Sequence, residues 1–97
     1  MKIDKQLSDA ALTVTLEGRL DTTTAPELEN DLHDLEGITH LILDFSKLDY
    51  ISSAGLRVLL SAHKTMQKKG DMKIVHVNDL VQEVFDVTGF SDILTIE

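Results

Sequence analysis

Between Leu12 and Glu17 apolar and polar residues alternate without a break: Leu12, Val14 and Leu16 share one side, Thr13, Thr15 and Glu17 the other. A period of two with one polar side predicts a strand packed on one face and wet on the other. Residues 2–7 alternate more weakly, with Ile3 and Leu7 on a common side, and the stretch Ser8, Asp9, Ala10 between the two runs suits a short hairpin turn. Gly18 is expected to end the second strand, with Leu20 still within reach of the core. The period then changes. Leu28, Leu32 and Leu35 recur at i, i+4 and i+7, which predicts a helix running to Gly37, where a left-handed terminal residue would fit. Thr24 and Glu27 have capping-box spacing, and Pro26 falls in the first turn, where its missing N–H does no harm.

The run HLILDF (residues 40–45) does not alternate. Such a short apolar run, bounded by polar residues, predicts a central strand buried on both faces, with Asp44 emerging at its carboxyl end. The stretch SKLDYI then leads into a second helix over about Ser53 to Lys69, marked by Leu56, Leu59, Leu60, His63 and Met66 at helical spacing. Lys64, Lys68 and Lys69 sit near its negative end, and Gly70 terminates it. MKIVHV (residues 72–77) predicts another strand, with Met72, Ile74 and His76 on one face. Asn78 or Asp79 is expected to cap a third helix with Leu80, Val81, Val84 and Phe85 on its apolar side and Gly89 at its end. The final stretch FSDILTIE is read as a last short strand or a tail. The order β-β-α-β-α-β-α implies an α/β domain over residues 1–97, with a mixed sheet of four or five strands, parallel neighbours around HLILDF, and helices mainly on one face. Leu43, Leu56 and Leu59 are expected in its core.

Composition removes several function classes. Seventeen acidic residues stand against nine basic ones, a net charge of −8 that repels phosphate backbones and argues against nucleic acid. Cysteine is absent, so disulfides and thiolate metal sites are excluded. His33, His40, His63 and His76 fall in separate elements without ligand spacing, and no metal or other cofactor is expected. MKIDKQLSDA holds no apolar core of signal-peptide length, and no run approaches the roughly 20 residues of a membrane span. A soluble cytoplasmic protein is the expectation. A nucleotide-hydrolysing enzyme would want a Gly-Lys-Ser/Thr phosphate loop, and a serine hydrolase a glycine-flanked elbow; neither motif is present.

The candidate chemistry gathers in YISSAGLRVLL (residues 50–60). Ser52 and Ser53 precede the second helix, where serine is a favoured N-cap. Capping explains one hydroxyl. It does not explain Gly55 in the first turn, where glycine costs about 1 kcal/mol of helix stability. Glycine there permits close approach of another backbone or of a bulky anion. A phosphoryl group on a serine at this helix start would sit in a favourable field. Asp21 and Asp44 each follow a strand, and in open α/β sheets ligands and partners meet the carboxyl ends of strands. Each acid also has a plain structural reading, Asp21 as a turn or capping acid and Asp44 as a strand-end hydrogen-bond acceptor.

With EGRLDTTTAPELE, LILDFSKLDYISSAGLRVLL and VFDVTGFSDIL in place, the chain resembles the bacterial anti-sigma factor antagonists, the single-domain STAS proteins, over nearly all of its length. The resemblance implies a regulatory binding protein, not an enzyme. Such a protein binds an anti-sigma factor that is itself a serine kinase, releases the sigma factor, and is switched off by phosphorylation and restored by a metal-dependent phosphatase. A monomer or weak dimer is expected. The family pattern around the acceptor, Asp-Ser-Ser/Thr-Gly-Leu, aligns on Gly55 and Leu56 and places the acceptor at Ser53. Ser52 then stands in the Asp place and Ala54 in the Ser/Thr place, both departures from the pattern. The resemblance further implies a partner surface of Asp21, Asp44, Ser52, Ser53 and Gly55 on one exposed rim, with Gly55 clearing space for the kinase and Ser52 acting as the cap. The alternative within the same fold is a STAS scaffold module of a larger signalling assembly in which Ser53 is not regularly phosphorylated.

Overall fold

The alternation over residues 12–17 lies within strand β2 (Ala11–Leu20), which pairs antiparallel with β1 (Lys2–Ser8) and parallel with β3 (His40–Ile51). In the computed structural model, which describes residues 1–97, β4 (Asp71–Val75) and β5 (Thr95–Ile96) complete a five-stranded mixed sheet in the order β1-β2-β3-β4-β5. HLILDF opens the central strand. Helices α1 (Ala25–Asp31), α2 (Ser53–Gln67) and α3 (Asp79–Thr88) pack on one face, against Val14, Leu16, Leu43, Phe45 and Ile74. Leu43 and Leu59 are fully buried and Leu56 nearly so. On the opposite face Thr13, Thr15, Ile42, Asp44 and Val75 are only partly covered, so β3 is buried on one face and not on both as its apolar run suggested. The two leucines and the isoleucine of that run are apolar for different reasons: Leu41 and Leu43 enter the core, while Ile42 sits half-exposed in mid-sheet.

β3 is also longer than expected. Residues 46–51 continue the strand where a loop was anticipated. The register shows why the pattern hid it. Two steps along β2 (Thr15 to Glu17) match three along β3 (Asp44 to Lys47), and one step (Gly18 to Arg19) matches two (Leu48 to Tyr50). Each mismatch is a bulge with one extra residue in β3. The core-facing positions Phe45, Leu48 and Ile51 are therefore three apart, and the period of two is lost although the strand is not. β2 keeps pace by running past Gly18, whose φ of 106° is open to glycine, to Leu20 opposite Ile51.

Three other boundaries differ. α1 stops at Asp31, well short of Gly37, because the Asp34 carboxylate accepts the Glu36 N–H at 3.1 Å in a local turn that competes with the helix. Leu32 and Leu35 are still buried, so their spacing reported burial and not helix; Lys69 Nζ donates to the Leu35 carbonyl and pins the segment to the end of α2. The expected Thr24–Glu27 capping box does not form, since the Thr24 hydroxyl turns back to the Arg19 carbonyl. β4 ends at Val75, and His76, with a left-handed φ of 60°, is exposed and not on the inward face with Met72 and Ile74. At α3 the capping expectation holds. The Asn78 side chain accepts the Val81 N–H and its amide donates to the Leu48 carbonyl, both at 2.8 Å, while Gly89 closes the helix in the left-handed region.

Helix α2 packs closely on the sheet at Gly55. A Cβ there would lie 2.7 Å from Leu20 Cγ and 2.9 Å from Ile51 Cγ1. Gly55→Ala is expected to lower stability by about 1–2 kcal/mol in a urea titration, overpacking outweighing the ~1 kcal/mol gain in helix propensity. Equal or greater stability would show that the first turn of α2 does not bear on β2 and β3.

Candidate functional site

β2 and β3 end side by side, and the Ser52 N–H donates to the Leu20 carbonyl at 2.9 Å. That bond fixes where α2 begins. Ser52 has the extended backbone of an N-cap (φ −106°, ψ 176°), and its carbonyl accepts from the Leu56 N–H at 3.0 Å. Its hydroxyl does not cap. Ser52 Oγ is buried and has no hydrogen-bond partner, which corrects its assignment as the side-chain cap. Ser53, the first residue of α2, is exposed. Gly55 is buried against Leu20 and Ile51, so its missing side chain makes room inside the protein and not for a partner.

Asp21 follows Leu20 directly. Its Oδ1 accepts from the Thr23 N–H (3.0 Å), the Thr23 hydroxyl (2.8 Å) and the Thr24 N–H (3.2 Å), while the Asp21 N–H donates to Thr24 Oγ1 at 2.8 Å. This is the reciprocal geometry of a capping box, set three residues upstream of the expected one. The Thr23 hydroxyl and the two N–H groups hold the Asp21 carboxyl below the usual carboxylate range. Arg19 adds a guanidinium 4.4 Å above the Tyr50 ring, with Nε 3.7 Å from Asp21 Oδ2. Asp21 thus serves the turn that starts α1 and still leaves part of its carboxylate at the surface.

Asp44 lies elsewhere. It is on the open face of the sheet, opposite Thr15 and Val75, where its Oδ1 accepts from the Ser46 N–H (2.9 Å) and meets the His76 ring Nδ1 (3.0 Å). Partial burial pushes its carboxyl up, and the Ser46 N–H and His76 ring more than offset that, so it titrates below its ordinary value. Seven residues of β3 separate it from Ser52, on the order of 20 Å along a bulged strand. The structure therefore brings Asp21, Ser52, Ser53 and Gly55 together at one end of the sheet and leaves Asp44 apart.

Two arginines near this end of the sheet escaped the sequence reading. Between α1 and the start of α2 runs a groove of about 220 Å³ lined by Thr22, Ala25, Pro26, Glu29, Ala54, Arg57 and Val58. Arg57 belongs to it, and Arg19 flanks the same corner through Asp21. These are the chain's only arginines, and their number and the i, i+4 spacing of Ser53 and Arg57 are visible in the sequence. No group of three or more His, Asp or Glu side chains is arranged to hold a metal ion, and no helix is long and apolar enough to cross a membrane.

A five-stranded mixed sheet with three helices on one face, and a serine-bearing helix start beside the ends of its two longest strands, is the architecture of a STAS domain. The STAS domain family model matches residues 2–97. BtrV of Bordetella bronchiseptica, named as a candidate anti-sigma factor antagonist, is 36% identical over 99 residues, covering 99% of this chain and 85% of that protein. The anti-sigma-B factor antagonist of Listeria monocytogenes is 30% identical over 90 residues, covering 89% and 78%. Among solved structures, SpoIIAA matches with a TM-score of 0.79 in its unphosphorylated form and, from Bacillus, 0.77 in its phosphorylated form. Both are 15% identical, cover 99% of this chain, and are covered to 87% and 91%; at that identity they establish the fold. The chain belongs to the STAS domain family, among relatives that are anti-sigma factor antagonists.

Two substitutions probe this end of the molecule and the open face. Ser52→Ala removes a buried hydroxyl that has no partner to lose, so stability should stay level or rise by about 1 kcal/mol; a loss of that size by chemical denaturation would reveal a capping bond. Because the Asp44 carboxyl titrates below its unfolded value of about 3.9, its contribution is complete above that pH and is lost as pH falls through the folded value. Asp44→Asn is thus expected to cost about 1 kcal/mol at pH 7, with the gap to wild type closing in denaturation curves taken below about pH 4. A gap independent of pH would mean the carboxylate is not what His76 and Ser46 hold.

Proposed function

We propose that this protein is an anti-sigma factor antagonist that binds a serine kinase of the anti-sigma type in the cytoplasm, releases a sigma factor, and is switched off by phosphorylation of Ser53. The observation that carries the reading is the exposed hydroxyl of Ser53 at the first residue of α2, presented by a turn whose backbone is locked to Leu20. The names of the BtrV and Listeria relatives and the phosphorylated form of SpoIIAA support it.

The chain supplies an acceptor and no catalyst. Ser53 Oγ attacks the γ-phosphorus of ATP held by the kinase, the bond to the β-phosphate oxygen breaks, ADP leaves, and the hydroxyl proton passes to a base on the kinase. The product carries about −1.5 to −2 charges on a surface that the partner had met as a neutral hydroxyl. Desolvating that anion weakens the complex. A metal-dependent phosphatase that hydrolyses the ester would return the binding form. Asp21, next to Ser53 across the Ser52–Leu20 bond, belongs to this partner surface; Asp44, on the open face, lies outside it.

The test uses the serine kinases of anti-sigma type from the protein's own genome. Wild type should bind one of them and acquire a single phosphate on Ser53, located by mass spectrometry after incubation with ATP and magnesium. Ser53→Ala should bind and stay unmodified. Ser53→Asp should fold and bind at least about 10-fold more weakly, the equivalent of 1.4 kcal/mol. Asp21→Asn, which keeps a capping side chain, should weaken binding with little change in stability. Phosphate on Ser52 alone would move the switch by one residue, and binding without phosphate on either serine would replace the switch with a passive scaffold.

A further inference from the structure

Helix α2 begins with its electrostatics incomplete. No acidic residue lies in its first turn, and the side chain of Ser52 caps nothing, so the helix supplies no anion of its own to its positive end. Arg57 adds a cation in the second turn, where the dipole does not favour one. Arg57 is exposed and makes no ion pair, in a chain with 17 carboxylates. Even Glu29, which shares its groove, is beyond ion-pair distance. Arg19, by contrast, is occupied by Tyr50 and Asp21. Residues four apart on a helix lie about 5–6 Å apart at Cβ, which places the free guanidinium within one side-chain length of the Ser53 hydroxyl.

Resting on Ser53 as the acceptor, we infer that Arg57 is the intramolecular receptor of the phosphoryl group. The phosphate dianion takes the anion position that α2 lacks and is held by the guanidinium fork along the i, i+4 face. The modified serine is then folded down over the Ala54–Arg57 side of α2, toward the groove with α1. Modification consequently tightens the helix start instead of loosening it. The groove that Arg57 and Ala54 line in the unmodified protein is covered beside them in the modified one, so the same event that adds charge also removes the guanidinium from the surface offered to a partner.

The experiment incorporates phosphoserine at position 53 during translation, so it does not depend on any kinase. The phosphorus resonance is titrated in wild type, Arg57→Gln, Arg57→Lys and Arg19→Gln, all phosphorylated. An ordinary phosphoserine titrates near pH 6; with Arg57 in place the midpoint should fall by about half a unit relative to Arg57→Gln. Arg57→Lys should recover part of that shift, and Arg19→Gln should leave most of it. Phosphorylation should raise the melting temperature of wild type by a few degrees and that of Arg57→Gln by less. Coincident midpoints for wild type and Arg57→Gln, or a larger change in Arg19→Gln, would overturn the assignment. Failure of every kinase to modify Ser53 would refute the switch while leaving these titrations to judge the receptor.

Discussion

The absence of a side chain at residue 55 lets the first turn of α2 rest on Leu20 and Ile51, and the rest of the molecule is arranged around that contact. Leu20 and Ile51 are paired residues at the ends of β2 and β3 and are almost completely buried. For Gly55 to reach them, both strands must extend to the same height, and β3 does so by taking two extra residues in bulges. The chain then has one residue, Ser52, in which to turn from strand to helix. Its N–H is committed to Leu20 and its carbonyl to Leu56, so Ser53 has no freedom to move inward. A rigid scaffold thereby presents one small hydroxyl to solvent, a common arrangement for functional residues at element ends.

Charge at this corner is organised against the trend of the chain. The protein is acidic overall, yet its only two arginines flank the start of α2, and Asp21 beside them is turned toward its own threonines. An acid that satisfies a turn keeps its charge local, whereas an unpaired guanidinium projects its field outward. A phosphoryl group added here meets a helix end, a free arginine and no competing carboxylate in the first turn of α2. The open face of the sheet is built on other terms. There Asp44 is held by Ser46 and by His76, a residue in the left-handed region at the end of β4.

The sequence alone carries the order of the elements as far as α3, the buried faces of α2 and α3 apart from the exposed Leu80, the antiparallel entry of β1 and the place of HLILDF at the centre, because each depends on a local period or cap. It also brought forward Ser53, through a motif. The remaining features depend on contacts between distant residues. The bulges of β3 broke the period at Phe45, Leu48 and Ile51, and only pairing with β2 makes that stretch a strand. Leu32 and Leu35 carried a helical spacing into a segment that Asp34 and Lys69 hold in turns. Gly55 reads in sequence as space for a partner but lies over Leu20 and Ile51, and Ser52 reads as a side-chain cap but its hydroxyl is buried and unpaired. Asp21 and Asp44 looked equivalent in sequence, each an acid after a strand; the length of β3 puts one beside Ser53 and the other on the far face.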